Sequence, residues 1–158
     1  MSEIYKIEPT QWQIILQLLL AIVLGGLIGL EREYRQRAAG IKTYTLVCLA
    51  SALFTILSMQ AFDAFWIRTA FNPAQIISSI LIGIGFIGAG VIVKRAEKIE
   101  GITTAAGLWI TTAIGIGVGC GWYVVSIITT FLVMILLLIL RKVDLWFDRF
   151  DQRREKKL

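Results

Sequence analysis

Of 158 residues, 57% are hydrophobic and only 17% charged, a balance far from that of soluble domains, and the net charge is +5. This is the composition of a membrane protein. With no His, two Cys, and no Asp or Glu inside any apolar run, the chain lacks a Cys/His metal cluster and a base to activate a Ser or Thr nucleophile, so no enzymatic role is expected.

A helix needs about 20 apolar residues to cross a hydrocarbon core of roughly 30 Å. Residues 1–11 (MSEIYKIEPTQ) are polar and precede the first such run. They lack the basic start of a signal peptide, and the arginines follow the run, so no cleaved leader is expected. The first span covers about 12–30, broken only by Gln13, Gln17 and glycines. The second covers 41–62, with Lys42 at its edge, where a long stem reaches the head groups. The third (73–93) and fourth (101–122) are rich in Gly, Ala, Ser and Thr, and the fifth (122–140) ends in MILLLIL. The stretch GCGWY must hold the whole turn between the last two. The fold class is therefore all-α, a polytopic membrane protein with a five-helix domain over residues 12–140. Residues 141–158 form a basic amphipathic tail: Trp146, Phe147 and Phe150 share a helical face, with Arg153 and Arg154 beyond, which suits lipid head-group depth.

Cytoplasmic loops keep an excess of basic residues. Arg32, Arg35, Arg37 and Lys42 lie between spans one and two, Lys94, Arg95 and Lys98 between three and four, and seven Lys or Arg follow Leu140; the opposite side holds Lys6 and Arg68. This predicts an external N-terminus and a cytoplasmic C-terminus. It also explains the positive charge without nucleic acid, which is not expected as a partner. Cys48 and Cys120 fall at different depths, so no disulfide joins them.

The stretch GIGFIGAG (83–90) contains the spacing Gly-x-Gly-x-x-Gly of a dinucleotide-binding turn. Such a turn needs a strand before it, a helix after it and an acidic residue about 20 positions on. Here it lies inside an apolar run, where exposed irregular backbone is not tolerated. Each helical glycine costs on the order of 1 kcal/mol against alanine, and in membranes close helix packing is the usual offset. Gly83, Gly85, Gly88 and Gly90 are thus expected to pack, as is the stripe Thr103, Gly107, Thr111, Gly115 and Gly119, with Ala113, Gly117 and Gly121 beside it and Gly25 and Gly29 on helix one. Helices three and four are expected at the packed centre, with helix five as cover. The alternative keeps these glycines for a polar passage or flexible points.

Glu31 and Glu33 are the candidate Mg²⁺ contacts, since hard cations take carboxylate oxygen. The alternative is an ordinary helix end with local Glu and Arg pairing. No cofactor beyond a possible Mg²⁺ is expected.

The runs GLIGLEREYRQRAAGIKTYTLVCLASALF (26–54) and IGIGFIGAGVIVKRAEKIEGITTAAGLWITTAIGIGVGCGWY (82–123) resemble the two signature blocks of the MgtC/SapB family of bacterial membrane proteins, and together they cover just under half the chain. The resemblance implies a five-helix domain in the bacterial cytoplasmic membrane with its N-terminus outside, linked to magnesium homeostasis and adaptation to low Mg²⁺. It leaves two modes of action, contact with other membrane proteins or a second copy through small-residue helix faces, and cation transport. The matching motif residues are Glu31, Arg32, Glu33, Gly40, Lys42, Thr43, Gly83, Gly85, Gly88, Gly90, Gly101, Thr103 and Thr104. Lys42 stands where the family has Arg, losing the planar fork. Asn72-Pro73-Ala74-Gln75 replaces a common Asp-Pro-x-Arg, removing both charges. Longer relatives append a soluble C-terminal domain, which a chain ending at Leu158 is expected to lack.

Overall fold

The computed structural model describes residues 11–65, 72–95 and 98–155. Five helices follow in chain order: α1 (Gln11–Tyr34), α2 (Ile41–Phe65), α3 (Pro73–Val91), α4 (Ile102–Gly119) and α5 (Tyr123–Glu155). All five contain stretches long and apolar enough to cross a membrane. The predicted external segment before Gln11 lies outside the described residues. The lipid-interface assignment of Trp146, Phe147, Phe150, Arg153 and Arg154 concerns side chains that also lie outside the described set.

Helix ends obey local chemistry. Asn72 caps α3, its side-chain oxygen accepting from the Ala74 amide at 2.9 Å, with Pro73 in the first turn. The neutral Asn thus performs a capping task that an Asp could perform equally well. GCGWY makes its turn as a Schellman motif: the Trp122 amide donates to the Gly117 carbonyl at 2.8 Å, the Gly121 amide to Val118 at 3.0 Å, and Gly121 takes φ 79°. The same bond pattern ends α1, where the Arg37 amide donates to the Arg32 carbonyl and the Gln36 amide to Glu33. There the left-handed position belongs to Gln36, at φ 52°.

One local difference from the sequence reading lies between α3 and α4. The helix expected to reach residue 93 stops at Val91, and a small antiparallel hairpin follows, β1 (Val93–Arg95) and β2 (Lys98–Glu100), pairing Val93 with Glu100 and Arg95 with Lys98. Ile92 is already extended, in keeping with the β-branched run Val91-Ile92-Val93. The hairpin returns so tightly that Gly101, at φ 94°, has the Val91 carbonyl where a side chain would start. No other residue type fits there without strain.

The larger difference is where the chain packs. A Cβ on Gly25 would lie 2.6 Å from the Cys48 Cβ, and one on Gly29 2.6 Å from the Ile41 Cα, so α1 and α2 run antiparallel with backbones nearly touching. Gly107 faces Tyr44, Gly115 faces Cys48 and Ser51, and Gly119 faces Ala52 and Thr55, so α4 runs parallel to α2 along the same seam. Around that seam Ala21, Leu24, Ile28, Tyr44, Cys48, Leu108 and Val118 are buried. The centre is therefore α1, α2 and α4. Half of the α4 span is buried (50%), against 11% for α3 and for α5. The expectation for α5 as outer cover agrees with this, whereas α3 is not part of the centre. Both cysteines are free, and Cys48 is buried in the seam.

Candidate functional site

Most of the motif residues fall in two places, a knot where α1 turns into α2 and the helix α3, with Gly101 in the turn after the hairpin. At the knot, Glu31 and Arg32 are almost fully buried, at 7% and 4% side-chain exposure. Both Nε and an Nη of Arg32 reach Glu31 Oε2, and Arg35 Nε donates to Glu31 Oε1 at 2.9 Å. One carboxylate thus holds two guanidinium groups. In low dielectric such charges are tolerable only when paired, so the knot survives as a unit.

Glu33 points the other way. Its Oε2 accepts from the Ile41 amide at 2.8 Å, satisfying one of the orphan donors at the start of α2 and placing negative charge at the positive end of that helix. Gly40 is required by this bridge, because a Cβ there would collide with the Glu33 carboxylate. One turn into α2, the fully buried Tyr44 lies against Gly107 and donates its hydroxyl to the Thr104 carbonyl at 3.1 Å. Thr104 is itself buried, while Lys42 and Thr103 are exposed and Thr43 is half-buried. The knot therefore ties together the end of α1 and the starts of α2 and α4.

These contacts weigh on the metal reading. Both carboxylates of the candidate pair are already engaged, Glu31 by two arginines and Glu33 by backbone. Among the described residues no three His, Cys, Asp or Glu side chains gather closely enough to hold a metal ion. Local Glu and Arg pairing is the arrangement found.

The α3 face differs in every respect. Beside Gly83, Gly85 and Gly90 there is nothing within 4 Å of where a Cβ would stand, and Gly88 has only the Ala105 methyl at 3.6 Å. Gly83, Gly85 and Gly90 therefore do not bring α3 against the rest of the chain, contrary to the sequence expectation, whereas the buried Gly88 does face α4. Phe86 and Ile82 project between them at 85% and 74% exposure. Alongside, α2 and α3 leave a groove of about 590 Å³, lined by Val47, Ser51, Phe54, Ile80, Gly83 and Ile84.

Sequence reasoning overlooked Arg35, Tyr44 and Gln17. Gln17 is buried and donates Nε2 to the Val118 carbonyl at 3.3 Å, joining α1 to α4. A glutamine inside an apolar run was the available signal, since a polar side chain at that depth needs a partner. Tyr44 gave none that distinguishes it from an interface aromatic.

Comparison with known proteins adds to this geometry. The MgtC family profile matches residues 18–146. A Haemophilus influenzae protein of uncharacterised function is 37% identical over 95% of this chain and 65% of its own length. The Escherichia coli K12 protein named "Putative magnesium transporter YhiD" is 39% identical over 79% of the chain and 59% of its own length. Protein MgtC of Salmonella typhimurium is 38% identical over 81% of the chain and 52% of its own length. The chain spans roughly half to two-thirds of the length of these curated relatives. No solved structure matches it.

Proposed function

The chain belongs to the MgtC family, and from that premise we propose that it is a non-enzymatic, multi-pass protein of the bacterial cytoplasmic membrane, linked to magnesium homeostasis, that acts by contact with other membrane proteins through α3. The charge distribution supports an external N-terminus and a cytoplasmic α1–α2 turn. The observation that carries the reading is the open space beside Gly83, Gly85 and Gly90. At these three glycines α3 gives up about 1 kcal/mol of propensity each and recovers no contact from its own chain, which leaves room there for the close approach of another helix.

A second reading, cation transport, is favoured by the name of the YhiD relative. It must place a path elsewhere than the seam of α1, α2 and α4, where Gly25, Gly29 and Gly119 leave no gap. It must also free Glu31 from its arginines. Purified protein in liposomes separates the two. The contact reading expects no Mg²⁺ flux above that of empty vesicles. Flux that Glu31→Gln abolishes, in protein that remains folded, would establish transport instead.

A further inference from the structure

Buried hydroxyls in these helices share a habit. Ser51, Thr55, Thr111, Thr112 and Thr130 each donate to the carbonyl four residues earlier, which satisfies them within their own helix. Ser58 departs from it. Only 1% exposed, its Oγ has no partner and leaves the Phe54 carbonyl alone. Gln17, 7% exposed, donates Nε2 to Val118, and its Oε1 has no partner either. Burying an unpaired amide or hydroxyl is costly, so two such atoms at one depth call for a common explanation.

Register places them at one depth. Gly25 and Cys48 face each other, and because α1 and α2 are antiparallel, Gln17 and Ser58 lie in the same direction from that contact. Helical rise puts them about 12 and about 15 Å away, within one turn of each other. Gln17 shares the buried face of Ala21, Leu24 and Ile28, and Ser58 that of Cys48, Thr55 and Ala52. The third wall is α4, where Val118 accepts from Gln17 and the adjacent Gly119 presses on Thr55, one turn from Ser58.

We propose that Gln17 Oε1 and Ser58 Oγ hold a single ordered water molecule between α1, α2 and α4, at the end of the seam remote from Glu31. The chemistry selects water. It donates to the amide oxygen and exchanges a hydrogen bond with the hydroxyl, completing both groups with the two or more polar partners that a buried water needs. Neither group is ionised, so the site offers no carboxylate to offset the dehydration of a divalent cation. Gln17 then fastens α1 to α4 directly and to α2 through the water. It does so at the end of α4, beside the contact of Gly119 with Thr55.

A density map of the full chain in lipid nanodiscs, at a resolution that shows waters, tests the site. The expected result is a peak within hydrogen-bond distance of both atoms. Direct contact between Gln17 and Ser58, or a Ser58 hydroxyl turned onto the Phe54 carbonyl, overturns the proposal. Melting curves provide a second readout. Ser58→Ala and Gln17→Leu each lower the melting temperature, and the double variant loses less than the sum of the two. A Ser58→Ala protein that melts at or above the wild-type temperature overturns the proposal as well.

Discussion

Two sets of glycines occupy this chain and do opposite things. Gly25, Gly29, Gly107, Gly115 and Gly119 stand where any side chain would strike a neighbouring helix, and they set the spacing of α1, α2 and α4. Gly83, Gly85 and Gly90 stand beside open space. Both sets carry the same propensity penalty in the same kind of apolar helix. The first is offset by contact within the chain, and the second must be offset outside it. Spacing of small residues therefore identifies a surface built for close approach without saying what approaches.

That contrast breaks most severely on the packed side at Glu31. Glu31→Gln leaves Arg32 and Arg35 beside a neutral partner, and losing one member of a buried ion pair costs about 3–5 kcal/mol. Chemical unfolding of the purified protein in detergent should show a loss of that size, and a loss under about 1 kcal/mol would mean that solvent reaches the knot. Next come the seam glycines. A Cβ at Gly119 would lie 2.7 Å from the Thr55 Cβ and 2.8 Å from the Ala52 carbonyl. Gly25→Ala and Gly119→Ala are therefore expected to cost about 1–3 kcal/mol each by overpacking. The smallest effect has the opposite sign. Gly83→Ala, Gly85→Ala and Gly90→Ala in the isolated protein should stabilise it by up to about 1 kcal/mol each, because the added methyl meets nothing and helix propensity improves. Equal destabilisation by the two sets in the same assay would erase the distinction.

Much of this architecture can be read from the chain alone. The five spans follow from apolar length, and the α4 glycines from their spacing of four, for Gly107, Gly115 and Gly119 all face α2 as such a stripe should. The assignment of α3 to the centre failed for a definite reason. Its four glycines read as a packing surface, but small residues in a sequence carry no information about which helix they meet. The Glu31 and Glu33 pair was legible as a cluster and ambiguous as chemistry. In the fold one carboxylate turns inward to arginines and the other forward to the Ile41 amide, a choice that spacing leaves open. The pairing proposed for Gln17 with Ser58 was beyond reach, since the two lie 41 positions apart and only the antiparallel register of α1 and α2 brings them to a similar depth.

The central claim, that the α3 face meets another membrane protein, is tested most directly by a photo-crosslinking residue at position 85 in native membranes, with the same residue at position 135 of the outer helix α5 as reference. The expected result is a discrete adduct with a second polypeptide from position 85, absent from position 135. Lipid adducts alone from both positions would contradict it.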